Sequence, residues 1–230
     1  MMIGIIGAMA VEIEEIKKQI VDLVIEEKGI RTFYKGKIHH QEVVVVLAGI
    51  GKVNAAITTS LLIEQYPITT IVNIGVAGGQ NGVSHKDVVV STEVLYHDVD
   101  VTSFGTYISG QLPGHKPTFL ASQDLIDKTI SVLKKNQVSY RVGKIATGDQ
   151  FVTSKQTIQA VNQIYTDIYA VEMEAAAIAQ TATIYNIPFV ILRSISDLLD
   201  DKTQTNDFNT FVQEASETAS LVLKELITIL

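Results

Sequence analysis

Residues 169–178 read YAVEMEAAAI, and the fold is decided by how that stretch is taken. An apolar run leads to two carboxylates, Glu172 and Glu174, and then to an alanine-rich segment that is hydrophobic nearly all round. That pattern is a strand entering a helix with no polar face, which belongs inside a larger core. Acidic side chains in the first turn of a helix complement its macrodipole, so a purely structural role accounts for Glu172 as well as a ligand contact does. Glu174 is different. A carboxylate set against a buried segment either bears a large desolvation cost or faces a polar pocket that receives a ligand. Downstream, residues 187–197 read IPFVILRSISD, a second apolar strand that carries Arg193 and Ser196 and ends in Asp197. A further acid therefore stands at the carboxyl end of a strand, where open α/β sheets bind ligands.

The composition narrows the classes of function. A chain of 230 residues, 47% hydrophobic, can bury one sizeable core, and no linker divides it, so residues 1–230 are expected to form a single domain. The formal charge of -7, with no cluster of Lys and Arg, argues against nucleic acid and for a small-molecule partner. Cysteine is absent, which removes disulfides and thiolate nucleophiles and fits a reducing cytoplasm. The apolar start, MMIGIIGAMA, lacks a basic flank and is too short to span a membrane, as is the amphipathic end, LVLKELITIL.

In chain order, a short strand over 2–6 gives way at Gly7 to a helical pattern. With Met9 as origin, Ile13, Ile16 and Ile20 fall within about 40° of one another's stripe, and Glu12 lies at its edge, where geometry alone turns it to solvent. Residues 30–40, IRTFYKGKIHH, suggest a hairpin with a Lys-Gly turn, and EVVVVLAG a fully buried strand. The turn GIGKVN at 49–54 imitates a dinucleotide fingerprint before a helix over 54–66. Asn54 replaces the third glycine, however, and the following strand lacks a terminal acid, so a redox role is weak. Gly75, Gly78 and Gly79, beside Ala77, allow a ligand to approach backbone closely, or form only a tight turn. A long loop over 96–117 is read as functional or interfacial. His97, Asp98 and Asp100 match no ligand spacing, and no metal or cofactor is expected. Phe208 enters a last amphipathic helix with Phe211, Val212, Ala215 and Ala219 on one face. Strands alternating with helices predict an α/β fold: three layers, α-β-α, around a mostly parallel mixed sheet.

Taken together, GIIGAM with Glu12, LAGIGKVNAA, YHDVDVT, TGDQF, AVEMEA and RSISD resemble the 5'-methylthioadenosine/S-adenosylhomocysteine nucleosidases of bacteria, in the family's order and over nearly the whole chain. The resemblance implies a nucleoside phosphorylase-like fold, a homodimer, a place in methionine salvage and hydrolysis of the adenine–ribose bond. It implies Asp197 as the acid that protonates N7 of adenine, Glu12 as the group that deprotonates the attacking water, and Glu174 as the carboxylate on the ribose hydroxyls. Met173 and Met9 would pack at the sugar, while Phe151, Val152, Ala77, Gly78, Ser196 and Phe208 would face the base. Glu172 and Arg193 would complete the substrate site, and Phe104 and Pro113 would be lent to the partner subunit's pocket. The chemistry suits these residue types: adenine leaves readily only when protonated, and the sugar becomes a cation that carboxylates stabilise. Asp197 would then need a raised pKa while Glu12 stays ionised.

One position departs from the family pattern. Val76 stands where a serine helping to hold the acid is expected, and a hydrogen bond to a carboxylate is worth roughly 1.5–3 kcal/mol. Asp197 is therefore expected to be held more loosely and protonated more readily. Two other functions remain open from the residues. A phosphorylase of the same fold would want cations near the first turn, where Glu12 instead repels phosphate. A nucleoside-binding protein without turnover would keep the pocket alone.

Overall fold

The computed structural model describes residues 1–230. The chain runs β1 (Met2–Gly7), α1 (Ala10–Lys17), β2 (Val21–Lys28), β3 (Arg31–Ile38), β4 (Gln41–Leu47), α2 (Lys52–Gln65), β5 (Ile68–Gly79) and β6 (Val88–Tyr96). After the long loop come β7 (Phe119–Leu120), α3 (Gln123–Lys135), β8 (Tyr140–Thr147), α4 (Gln159–Asn162), β9 (Ile168–Glu172), α5 (Ala175–Ile184), β10 (Phe189–Leu198) and α6 (Gln204–Ile227).

The sheet is mixed and closes partly on itself. Strands follow the order β10-β6-β8-β9-β5-β1-β4-β3-β2, and β10 also pairs with β5, so β5, β10, β6, β8 and β9 form a ring. The β1–β4, β1–β5, β10–β5, β6–β8 and β8–β9 pairs are parallel; β10–β6, β2–β3, β3–β4, β5–β9 and β6–β7 are antiparallel. With five parallel and five antiparallel pairings the sheet is mixed and partly ring-closed, and not mostly parallel as expected. Closure comes from the length of β5, whose twelve residues pair β1 near one end and β9 at the other. Helices α1, α3 and α6 pack together over Ile3, Ile5, Val72 and Leu192, while α2 and α5 pack together over Phe33, Ile71 and Ile191. No helix is long and apolar enough to cross a membrane.

The early hairpin also differs. Lys35-Gly36 is no turn: β3 runs straight through it, Gly36 pairs with Val43, and the chain reverses instead at Gly29–Ile30 and His39–His40. Gly36 is required there by crowding, since a Cβ would lie 2.4 Å from Ile20 Cγ2 and 2.5 Å from the Val21 carbonyl. β2, VDLVIEEK, escaped the apolar-run criterion because charges interrupt it, and most of its side chains, Val21, Leu23, Val24 and Ile25 included, are exposed.

Candidate active site

Glu12 is the third residue of α1, and its side chain folds back over the helix start. Its Oε2 accepts from the N–H groups of Ala8 at 2.6 Å and Met9 at 2.9 Å, which satisfies donors that a helix start leaves free. Its Oε1 accepts from the Val76 N–H in β5 at 3.1 Å. The expected exit to solvent is wrong: Glu12 is only 3% exposed, because backbone donors draw the carboxylate inward. An ionised carboxylate offers about four acceptor positions, so with three occupied one remains for a ligand or water. Burial pushes the Glu12 carboxyl above its usual range, while Arg193 and the three N–H groups oppose that by favouring the charged form. Gly75 makes room for this arrangement. A Cβ there would stand 2.8 Å from Glu12 Oε1 and 3.1 Å from Arg193 Nη1.

The two glutamates that open α5 have separate tasks. Glu172 accepts from the N–H groups of Glu174 and Ala175 at 3.0 and 2.8 Å, from Arg193 Nη2 at 2.7 Å, and from the Thr147 hydroxyl. Oε2 takes the two N–H groups and Arg193, and Oε1 takes Thr147, so Oε1 keeps one acceptor position open. The carboxylate therefore caps α5 and neutralises Arg193 while still lining the cavity between these elements. Arg193, 1% exposed, is paired with Glu172 and is not among the residues that line the cavity. Glu174 precedes α5 and accepts a single bond, from the Gly51 N–H at 2.8 Å. Its remaining acceptor positions are free. Burial and the nearby Glu172 charge push its pKa up to about 8, against the pull of Arg193. Gly51 holds φ 97° and ψ 159°, a conformation open essentially to glycine alone, so the GIGK turn places a donor on Glu174 instead of cradling a dinucleotide.

Asp197 owes its direction to a bulge. In the β10–β5 pairing Ile195 faces Ala77 and Asp197 faces Gly78, leaving Ser196 as an extra residue. Successive strand residues ordinarily point to opposite faces, yet Ser196 and Asp197 both line the same cavity. Asp197 Oδ1 accepts from Ser196 Oγ at 2.6 Å and Oδ2 from Gln204 Nε2 at 2.6 Å. Burial raises its pKa, partly offset by those two donors. Gly78 is the close neighbour: a Cβ there would lie 3.1 Å from Asp197 Oδ2.

These elements enclose a cavity of about 110 Å³. Glu12, Glu174 and Asp197 line it with Met9, Val76, Ala77, Gly78, Phe151, Glu172, Met173, Ser196 and Phe208, as well as Ala8, Ile50 and Val171. Phe151 and Phe208 stand edge to face at 5.7 Å, and Phe208 lies within α6, which starts at Gln204 and not at Phe208 as expected. The Val152 side chain is buried and does not line the cavity, and its carbonyl accepts from Gln204 at 2.9 Å. Phe104, 73% exposed, and the exposed Pro113 lie on the long loop away from the chain's own cavity. Sequence reasoning missed Gly51, Thr147 and Gln204. For Gly51 the signal was present, since the glycine pair opening α2 lies at a strand's carboxyl end; for Gln204 there was none.

Residues 2–228 match the phosphorylase superfamily. A 5'-methylthioadenosine/S-adenosylhomocysteine nucleosidase from Oceanobacillus iheyensis is 42% identical over 228 residues, covering 99% of each chain. The chain belongs to this nucleosidase family. Another member, from Staphylococcus epidermidis, is 41% identical over 98% of the chain and all of its own length. Among solved nucleosidases, the Neisseria meningitidis enzyme in complex with methylthio-immucillin-A superposes with a TM-score of 0.95 at 35% identity, covering 100% of this chain and 99% of its own. A putative nucleosidase from Borrelia burgdorferi B31 bound to adenine gives 0.93 at 39% identity, covering 99% and 100%.

Proposed function

We propose that this chain hydrolyses the N-glycosidic bond of 5'-methylthioadenosine and S-adenosylhomocysteine, releasing adenine. The observation that carries the reading is the convergence of Glu12, Glu174 and Asp197, from three distant segments, on one cavity roofed by Phe151 and Phe208. Relatives that cover nearly the whole chain bear the nucleosidase name.

In this mechanism Asp197, whose carboxyl burial shifts toward the protonated form, gives its proton to N7 of the purine while the C1'–N9 bond breaks and its electron pair passes to the base. The ribosyl group gains positive charge, which favours the ionised form of Glu174 that burial and Glu172 otherwise disfavour; the carboxylate stabilises that charge while accepting from the ribose hydroxyls with the oxygen that Gly51 leaves free. Glu12 takes a proton from water through its one open acceptor position as the water oxygen bonds to C1'. Its raised pKa makes it a stronger base once ionised. Adenine and the 5-substituted ribose depart, and proton exchange with solvent resets Asp197 and Glu12. Phe151 and Phe208 pack on the purine and Met173 and Met9 on the sugar.

Hydrolysis is favoured over phosphorolysis by charge. The cavity is lined by four acids and no Lys or Arg, and the nearest cation, Arg193, is engaged by Glu172. Residues 1–230 act as one unit on this reading, in the cytoplasm and as a homodimer. Pairing is supported by an apolar depression of about 410 Å³ between α2 and α5, lined by Val53, Ala56, Ala177 and Ile184 with Val99 and Leu112 of the long loop. Phe104 and Pro113 of that loop would reach the partner subunit's cavity. A structure with a bound 5'-alkylthioadenosine analogue tests the assignment: the purine should lie beside Asp197 and the ribose hydroxyls against Glu174. A base seated elsewhere would overturn it.

A further inference from the structure

The two donors that hold Asp197 come from different places. Ser196 is its neighbour in β10 and moves with it. Gln204 is the first residue of α6, 3% exposed, and its single Nε2 serves both Asp197 Oδ2 at 2.6 Å and the Val152 carbonyl at 2.9 Å. A carbonyl oxygen only accepts, so Val152 fixes which end of the amide faces the acid. Val152 follows Phe151, one of the two aromatic side chains packed against each other at the cavity. The connection before α6 is stitched to the same segment twice more: the Asp200 N–H donates to the Thr153 carbonyl at 3.0 Å, and Asp200 Oδ1 accepts from the Lys155 N–H at 3.1 Å. Val76 offers the acid no side-chain donor, and its own N–H is given to Glu12.

We propose that Gln204 is the positioning residue of the proton donor, tying Asp197 to the 151–153 segment so that the acid is aligned toward a base packed on Phe151. The proposal rests on the nucleosidase reading and adds to it a residue that acts through Asp197. An amide suits the task because it fixes one carboxyl oxygen without adding charge. A lysine there would hold Asp197 ionised, and an apolar side chain would leave the carboxyl free to turn. The charged groups that also act on Asp197 are His85, before β6, which favours its ionised form, and Asp207, in α6, which opposes it; these two stand 3.7 Å apart.

The test is Gln204→Met assayed on 5'-methylthioadenosine, beside a p-nitrophenyl 5-methylthioriboside whose leaving group departs without a proton. On the nucleoside, kcat should fall about 10- to 100-fold with KM within about threefold, the effect of losing one hydrogen bond to a charged group. The basic limb of the kcat profile should move to higher pH, because a donor to the ionised acid is gone. The nitrophenyl substrate should lose far less. An unchanged kcat, or equal losses on both substrates with a fixed basic limb, overturns the proposal. Gln204→Glu keeps the shape and sets an anion beside Asp197, so its basic limb should also rise; it takes over the test if the methionine variant does not fold. If neither variant folds, Gln204 serves only the fold and the proposal is overturned. Failure of the unmodified protein to release adenine is a separate result, which removes the nucleosidase reading itself.

Discussion

Arg193 Nη2 and Glu172 Oε2 are 2.7 Å apart, with both side chains sealed from solvent at 1% and 3% exposure. Burying two charges is costly, and removing one partner leaves the other uncompensated, typically at about 3–5 kcal/mol. Arg193→Met is therefore expected to destabilise the protein by about that amount and to lower its melting temperature by roughly 10 °C. Adding Glu172→Gln should recover part of the loss. Thermal unfolding of the two variants checks this; a shift of under about 2 °C for Arg193→Met would show that the pair does not hold the site's floor.

Glu174 makes stability depend on pH. Its folded pKa of about 8 lies above its ordinary 4.5, so the folded state holds a proton that the unfolded state releases. That contribution is fully present below pH 4.5 and is lost as pH rises through about 8. The ligand-free protein should thus lose stability between pH 5 and 8.5, and Glu174→Gln should flatten this slope while abolishing most turnover. Denaturant unfolding across that range measures it, and parallel slopes for the two proteins would refute the shift.

Asp197→Asn removes the transferable proton while keeping size and shape. Turnover of 5'-methylthioadenosine should fall by about 10²- to 10⁴-fold, the usual contribution of general acid catalysis. Binding of a non-hydrolysable analogue should stay within about tenfold. Because burial raises the Asp197 pKa, activity in the unmodified protein should decline as pH rises through that raised value, and the residual activity of the variant should lack this limb. A variant that retains the limb would place the acid elsewhere.

Val76→Ser sets a hydroxyl in the wall of the same cavity. A new donor to the ionised carboxylate favours that form, so the basic limb of turnover should move to lower pH. A pH profile superimposable on that of the unmodified protein would show that the hydroxyl does not reach Asp197. The looseness expected from Val76 is offset in any case, since Ser196 and Gln204 each occupy one oxygen of the acid.

Much of the arrangement can be read from the letters, and what cannot has physical reasons. The buried character of residues 175–182 and the strand at Tyr140–Thr147 follow from hydrophobic period alone. The alternative for Glu172, a helix-capping carboxylate, was also visible, because acids at a helix start are favoured locally. Glu12 was misjudged because wheel geometry ignores backbone donors, and three N–H groups outweigh an angular position. The ring closure of the sheet and the bulge at Ser196 depend on pairings between β5 and β10, more than a hundred residues apart, which no local pattern encodes. Gln204 was hidden for the same reason: a glutamine in a polar loop looks like any other until the fold sets it against an acid.

The most direct measurement is adenine release from 5'-methylthioadenosine by the purified protein with phosphate rigorously omitted. Release at an unchanged rate whether or not phosphate is added back, with free 5-methylthioribose as the second product, is the predicted result. Release that requires phosphate, or tight binding of the nucleoside with no adenine formed, would contradict it.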